Sequence, residues 1–128
     1  MGFLNGLLGN ADTVSIEEVK KEWGKILAQG EEIAAAYKLI RDYIILTPKR
    51  IIFIDVQGIT GTKIEISSYP YRSIIGFSIQ TAGVMDSNAE LLITVANRVT
   101  PIKYKFDKNI NIYEVQAVIA DAIANEGK

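Results

Sequence analysis

The 128-residue sequence contains no cysteine and no histidine. Without cysteine the chain has no disulfide, no thiolate metal site and no thiol nucleophile. Without histidine it lacks the side chain that most often serves as a general base near neutral pH and as a ligand of zinc, iron or copper. These two absences exclude most common classes of enzyme site. We therefore expect a non-enzymatic protein that holds no metal and no cofactor.

The chain also lacks an excess of one charge and any long hydrophobic run. Its 14 basic and 15 acidic residues are interspersed and give a net charge of -1. Such a chain has no overall attraction to polyanions, so nucleic acid is not expected as a partner. The apolar opening, MGFLNGLLGN, is too short to span a bilayer and lacks the basic start and cleavage pattern of a signal peptide. We expect a cytoplasmic protein, with peripheral contact to the inner membrane face as an alternative.

What is present is typical of one globular domain. Apolar residues make up 48% and charged residues 23% of the chain, enough to bury a sizeable core. No linker, internal repeat or low-complexity tract divides the sequence. We therefore expect a single domain over residues 13–128, preceded by an apolar segment over residues 1–12.

Two stretches carry the start signal of an amphipathic helix. Ser15 and Glu18 have the spacing of a capping box, and Asn111 and Glu114 repeat it near the C-terminus. After each start, apolar residues recur at helical spacing, so each helix has one face to bury. The predicted helices cover about residues 15–28 and 111–125.

Between these helices, from about residue 31 to residue 107, apolar residues alternate with polar ones. In the last alternating stretch, Tyr104 and Phe106 lie on one face and Lys105 on the other. Turn residues divide the region into seven short strands, and the C-terminal helix can cover the apolar surface that such strands leave open. The predicted fold is mainly β: a seven-stranded antiparallel barrel or sandwich capped by a C-terminal α-helix, with an extra N-terminal helix.

Residues 57–63, QGITGTK, contain the glycines, hydroxyls and lysine that occur in phosphate-binding loops. A P-loop needs its lysine directly after the last glycine and a helix beyond it. Here Thr62 separates Lys63 from Gly61, and the next residues alternate as in a strand. We therefore interpret Gly58 and Gly61 as residues that supply positive φ in a hairpin loop.

Two further groups are candidates for recognition. Tyr69, Tyr71 and Arg72 surround a proline and could bind a peptide or an anion. The alternative, which turn chemistry favours, is that Pro70 ends or bulges a strand while one tyrosine packs beneath it. The second group consists of basic residues around the first hairpins, Lys38, Arg41, Lys49 and Arg50. The residues retained as candidate contacts for a ligand or partner are Tyr69, Tyr71, Arg72, Lys49, Arg50 and Lys63.

Catalysis and metal binding have weaker support. Asp86 and Glu90 could be imagined as a metal or acid–base pair, but Asp86 begins a DSN turn and the ligand spacing of a calcium loop is missing. No spacing suggests a pair of nucleophile and base built from Ser, Lys, Tyr or carboxylate side chains.

Several separated motifs resemble small bacterial pleckstrin-homology-like proteins of uncharacterised function. Residues 43–55, YIILTPKRIIFID, resemble their hairpin of the second and third strands, and the segments DVQG, SYPYRSI and TAG further along the chain are also similar. The resemblance covers the chain from about residue 12. It implies a self-associating barrel in a bacterial cytoplasm, with no assigned chemistry. Many eukaryotic members bind phosphoinositides through basic residues around the first hairpin, but here that turn is short and contains Asp42.

An open strand edge leads to the first functional hypothesis. Unpaired amides and carbonyls at such an edge can pair with a second copy, and a contact that is not isologous closes into a ring if the rotation permits. We therefore expect a homo-oligomeric scaffold that also binds a protein partner of unknown identity. The alternative is a peripheral domain that binds anionic lipid. In both cases the apolar N-terminal segment supplies the candidate contacts Phe3, Leu4, Leu7 and Leu8.

Overall fold

The structure, a computed structural model, describes residues 15–83, 88–107 and 110–125. These residues form two antiparallel sheets, an N-terminal helix and a C-terminal helix, which confirms the predicted mainly β fold of seven strands with a helix before and after them. The first sheet has the order β1-β2-β3-β4 and the second has the order β5-β6-β7. The strands are β1 (Ala35–Leu39), β2 (Asp42–Leu46), β3 (Arg50–Gln57), β4 (Lys63–Pro70), β5 (Ile74–Gln80), β6 (Asn88–Val95) and β7 (Ile102–Asp107).

The two helices begin where the sequence predicts. Helix α1 (Ile16–Trp23) starts after Ser15, whose Oγ accepts a hydrogen bond from the Glu18 amide at 3.1 Å. It passes at Gly24 into a short 3-10 turn, Gly24–Ile26, and so is shorter than predicted. Helix α2 (Ile112–Ala124) starts after Asn111, whose Oδ1 accepts from the Tyr113 amide at 3.0 Å.

The main core lies between the facing surfaces of the two sheets and is completed by the apolar face of α2. On the inner face of β3, the Phe53 ring stacks on Tyr104 of β7 with 5.4 Å between ring centroids and an interplanar angle of 8°. The side chains of this core that are wholly buried include Ile44, Leu46, Ile51, Leu91, Ile93, Phe106, Val118 and Ile119.

A second apolar layer lies on the other face of the first sheet, beneath α1. Val19 and Trp23 of the helix pack on Tyr43, Ile45 and strand β3, and the Trp23 and Tyr43 rings meet edge to face at 5.6 Å. Strands β2 and β3 are therefore covered on both faces. This explains why β2 and β3 contain continuous apolar runs, YIIL and IIFI, instead of strict alternation.

Candidate interaction surfaces

The QGITGTK stretch forms the loop of the β3–β4 hairpin. Gly58 has φ of 81° and Gly61 has φ of 70°, and the Gly61 amide donates to the Gly58 carbonyl at 3.3 Å. Lys63 begins a strand and pairs with Gln57 in the β3–β4 register. The loop therefore has glycines for their backbone geometry, as predicted, and no helix follows it to direct amides at a phosphate.

Arg50 forms an internal ion pair with Glu31. Its Nε donates to Glu31 Oε2 at 3.0 Å and its Nη2 donates to Glu31 Oε1 at 2.9 Å. Nη2 also donates to the Ile26 carbonyl at 2.9 Å, and Nη1 donates to Ser68 Oγ at 3.1 Å. The guanidinium thus joins the segment after α1 to strands β3 and β4, and most of its hydrogen-bonding capacity is used within the chain.

The Glu31 carboxylate has no solvent-exposed side-chain surface and is fully hydrogen-bonded. Besides Arg50, it accepts from Thr47 Oγ1 at 2.7 Å and from the Ala28 amide at 2.9 Å. The hydrogen bonds from Arg50 lower its pKa to about 2, desolvation partly opposes them, and Thr47 and Ala28 lower the pKa further. Nothing in the sequence around Glu31 predicts this buried cluster, because Arg50 lies 19 positions away.

Tyr71 belongs to the same cluster and is buried. Its hydroxyl lies 2.6 Å from the Thr47 carbonyl and 2.9 Å from the Arg50 carbonyl, so its single proton is shared between these two acceptors. Burial raises the pKa of Tyr71 above its usual value. Pro70 is the last residue of β4, and Tyr71 begins the 3-10 turn that follows, with its side chain buried in the main core. This is the arrangement that turn chemistry favours over exposure of both tyrosines.

The other candidate contacts lie at opposite ends of β4. Tyr69 is half-buried, and its hydroxyl accepts from Arg98 Nη1 at 3.1 Å. Arg50 pairs with Pro70 in the β3–β4 register, so Lys49 and Arg72 lie at the same end of the sheet. Both side chains are exposed. Lys63 is exposed at the far end of the strand, so the structure does not bring it together with the others. Phe3, Leu4, Leu7, Leu8 and Asp86 lie outside the described residues.

At the Lys63 end, the β1–β2 turn meets the β3–β4 loop. Arg41 Nη2 donates to the Gly58 carbonyl, which holds the two segments together. Each presents a fully exposed isoleucine: Ile40 is 96% exposed and Ile59 is 104% exposed. We call this the loop-tip surface and define it by Lys38, Ile40, Arg41, Ile59 and Lys63.

The outer edge of β4 is the second exposed feature. β4 stands at one end of the first sheet and pairs only with β3 among residues 15–83, 88–107 and 110–125. Ile64 and Ile66 are 43% and 44% exposed, and they lie opposite Val56 and Ile54 in the register. They therefore extend the apolar layer beneath α1 to the open side of the sheet. We call this feature the β4 edge.

Within the described part of the chain, no helix is both long enough and apolar enough to cross a bilayer. Over the same residues, no three Asp or Glu side chains are grouped so as to hold a metal ion. Glu90 forms an ion pair with Lys103 at 3.0 Å.

Comparison with known proteins places this architecture in a family. The chain matches the model of the bacterial PH (pleckstrin-homology) domain over residues 2–123. It is 48% identical over 121 residues to the uncharacterized protein YjqA of Bacillus subtilis (strain 168), a match that covers 94% of this chain and 97% of that protein.

Solved structures show the same fold. A DUF1696 family protein with a pleckstrin-homology domain from Shewanella loihica PV-4 is 37% identical, with a TM-score of 0.77 over 89% of this chain and 97% of that one. A pleckstrin homology domain from Shewanella amazonensis SB2B is also 37% identical, with a TM-score of 0.77 over 95% of this chain and 98% of that one. With its 4+3 arrangement of strands and its C-terminal helix, the chain belongs to the bacterial PH domain family.

Proposed function

We propose that this protein is a non-enzymatic, cytoplasmic scaffold that assembles with copies of itself through the β4 edge. The observation that carries the proposal is the coincidence of an open strand edge with two partly exposed isoleucines, Ile64 and Ile66. An open edge offers a row of amides and carbonyls to a second strand, and alternate side chains then determine which strand fits.

The energetics of the edge agree with this proposal. Burying the exposed part of two isoleucines contributes about 2 kcal/mol per subunit, since full burial of one contributes roughly 1.5–3 kcal/mol. New backbone hydrogen bonds along the eight residues of β4 would add to this contribution. If β4 contacts a different surface of the next subunit, the same contact can add further subunits in turn. The assembly then closes into a ring when the rotation between neighbouring subunits permits.

The test is the mass of the full chain in solution, measured by multi-angle light scattering after size exclusion. We expect a homo-oligomer at micromolar concentration and a marked loss of mass in the double variant Ile64→Lys/Ile66→Lys. Val99→Lys is the matched control, because Val99 is fully exposed in the β6–β7 loop and its replacement should leave the mass unchanged. A monomeric parent chain, or a double variant that retains the oligomer, would remove the proposal.

The loop-tip surface favours a second candidate function, peripheral binding to an anionic membrane. Ile40 and Ile59 could enter the interface while Lys38, Arg41 and Lys63 contact lipid phosphates. Each cation near such a membrane contributes about 1 kcal/mol. Acidic side chains close to the surface, among them Asp42 and Asp55, oppose this attraction.

Vesicle flotation separates the two functions. Phosphatidylglycerol vesicles at low salt should bind the parent chain if the second function holds, and the variant Ile40→Ser/Ile59→Ser should bind less. Deletion of residues 2–8 then tests the N-terminal segment: loss of vesicle binding at constant oligomer mass supports lipid contact, and loss of mass supports assembly. Failure of the parent chain to float with anionic vesicles would eliminate the membrane function.

A further inference from the structure

A cavity of about 290 Å³ lies between the end of α2 and the segments that flank β1 and β2. Its walls are mostly apolar, with Ala34 and Leu46 on the sheet side and Val118 and Ala122 on the helix side. None of these residues belongs to the β4 edge or the loop-tip surface. The volume lies near the lower limit for small-molecule sites, which is roughly 300 Å³.

The two hydroxyl groups in the wall of this cavity are already used by the fold. Thr47 Oγ1 donates to Glu31 at 2.7 Å, and the Tyr71 hydroxyl donates to the Thr47 carbonyl at 2.6 Å. A hydroxyl has a single proton to donate, so neither residue offers a donor to a bound molecule. The cavity therefore does not favour a ligand that needs hydrogen-bond donors from the protein, such as a carboxylate.

Asp121 supplies the charge of the cavity wall. Its Oδ1 accepts from Asn125 Nδ2 at 2.9 Å, which fixes the orientation of this half-buried carboxylate. Asp121 forms no ion pair with any residue that the structure describes. The carbonyl groups at the C-terminal end of α2 add to the negative potential beside Asp121, and no basic residue in the last turn of the helix offsets them.

An apolar space beside a carboxylate that forms no ion pair within residues 15–83, 88–107 and 110–125 is complementary to a cation on an apolar body. We propose that this cavity binds a small primary amine with a compact apolar group. The ammonium donates to the Asp121 carboxylate, and the apolar group contacts Leu46, Val118 and Ala122. An anion of the same shape is disfavoured, because Asp121 repels it and none of the described residues that line the cavity is basic.

Three probes with one phenyl ring and different charge test the proposal: phenethylamine, 2-phenylethanol and phenylacetate. Each is titrated into the isotopically labelled full chain, and the amide shifts of α2 and β1 report binding. We expect phenethylamine to bind about twofold to fivefold more tightly than the alcohol, and phenylacetate to bind most weakly, because a partly exposed ion pair contributes on this scale.

Two variants separate the charge from the space. Asp121→Asn should remove the preference for the amine over the alcohol while binding of the alcohol stays unchanged, and Glu32→Gln, an exposed carboxylate outside the cavity wall, should change neither. Ala122→Phe should fill the cavity and remove binding of all three probes, with Ala34→Leu as a second filling variant if the first does not fold. The proposal is overturned by equal binding of the probes, by a preference for phenylacetate, by an Asp121→Asn variant that still prefers the amine, or by no shifts at about 10 mM probe.

Discussion

The buried Glu31 carboxylate allows a quantitative prediction about stability. In the folded chain its pKa is lowered from 4.5 to about 2, chiefly by hydrogen bonds from Arg50. A pKa that is lower in the folded than in the unfolded state stabilises the protein above the unfolded value. This stabilisation is fully present above about pH 5 and is lost as the pH falls through 4.5 towards 2. One pKa unit corresponds to about 1.4 kcal/mol, so the ionised carboxylate contributes about 3 kcal/mol at neutral pH.

The variant Glu31→Gln keeps the shape of the side chain and removes its charge. It leaves the Arg50 guanidinium, 26% exposed, without its anionic partner. Breaking a buried ion pair from one side costs about 3–5 kcal/mol, and the partial exposure of Arg50 places the expected loss at the lower end of this range. At low pH the loss should shrink, because below about pH 4.5 the unfolded parent chain binds a proton at Glu31 that the folded chain, with its lowered pKa, does not bind, so the stabilisation that the charge provides is already smaller.

Urea denaturation at pH 7 and pH 3 measures both effects. We expect Glu31→Gln to lose about 3 kcal/mol of unfolding free energy at pH 7 and clearly less at pH 3. Glu32→Gln, the exposed neighbour, should change stability by less than about 0.5 kcal/mol at either pH. A loss for Glu31→Gln that is below 1 kcal/mol, or that does not change with pH, would refute the reasoning.

Three further substitutions test the turn, the cluster and the core by the same denaturation assay. Gly61→Ala should cost about 1–2 kcal/mol, because φ is 70° and the new Cβ would lie 3.3 Å from Val56 Cγ1; Gly83→Ala, where a Cβ meets open space, should cost little. Tyr71→Phe should cost about 1–2 kcal/mol, because the buried Thr47 carbonyl loses its donor. Ile119→Ala should cost about 2–5 kcal/mol, whereas Tyr113→Ala on the exposed face of α2 should stay within 0.5 kcal/mol. Equal losses of unfolding free energy for Gly61→Ala and Gly83→Ala would contradict the role of Gly61 in the turn, and equal losses for Ile119→Ala and Tyr113→Ala would contradict the place of Ile119 in the core. No loss for Tyr71→Phe would contradict the role of its hydroxyl in the cluster.

The features that local sequence determines were predictable. A cap such as Ser15 acts on an amide three residues later, and the alternation of Tyr104, Lys105 and Phe106 follows from the pleat of a single strand. Positive φ at Gly58 and Gly61 is likewise a property of one loop. These signals predicted the number of strands, both helices and the role of the glycine-rich stretch.

The features that depend on distant contacts were not predictable in the same way. Arg50 looks like a surface cation in the sequence because its partner, Glu31, is far along the chain and lies within a polar pair of glutamates. The apolar stripe of α1 indicates that the helix packs against other residues, but it does not identify which face of the sheet the helix covers. The continuous apolar runs of β2 and β3 indicate that both faces of these strands are covered, because a strand covered on one face alone would alternate.

The exposure of three isoleucines is a further feature that the sequence did not predict. Ile40, Ile59 and Ile66 have the same chemistry in the sequence as buried isoleucines of neighbouring strands. Only the positions of the turns and of the sheet edge determine that they face solvent. The candidate surfaces at the loop tips and along β4 therefore required the strand order and register of the structure.

Hydrogen exchange of the β4 amides tests assembly through this edge most directly. In an isolated subunit, alternate amides of Lys63–Pro70 point away from β3 and should exchange rapidly. The account predicts that these outward amides become protected as the protein concentration rises from nanomolar to micromolar, while amides between β2 and β3 stay equally protected throughout. Outward β4 amides that exchange rapidly at every concentration, in a sample whose mass shows an oligomer, would contradict it.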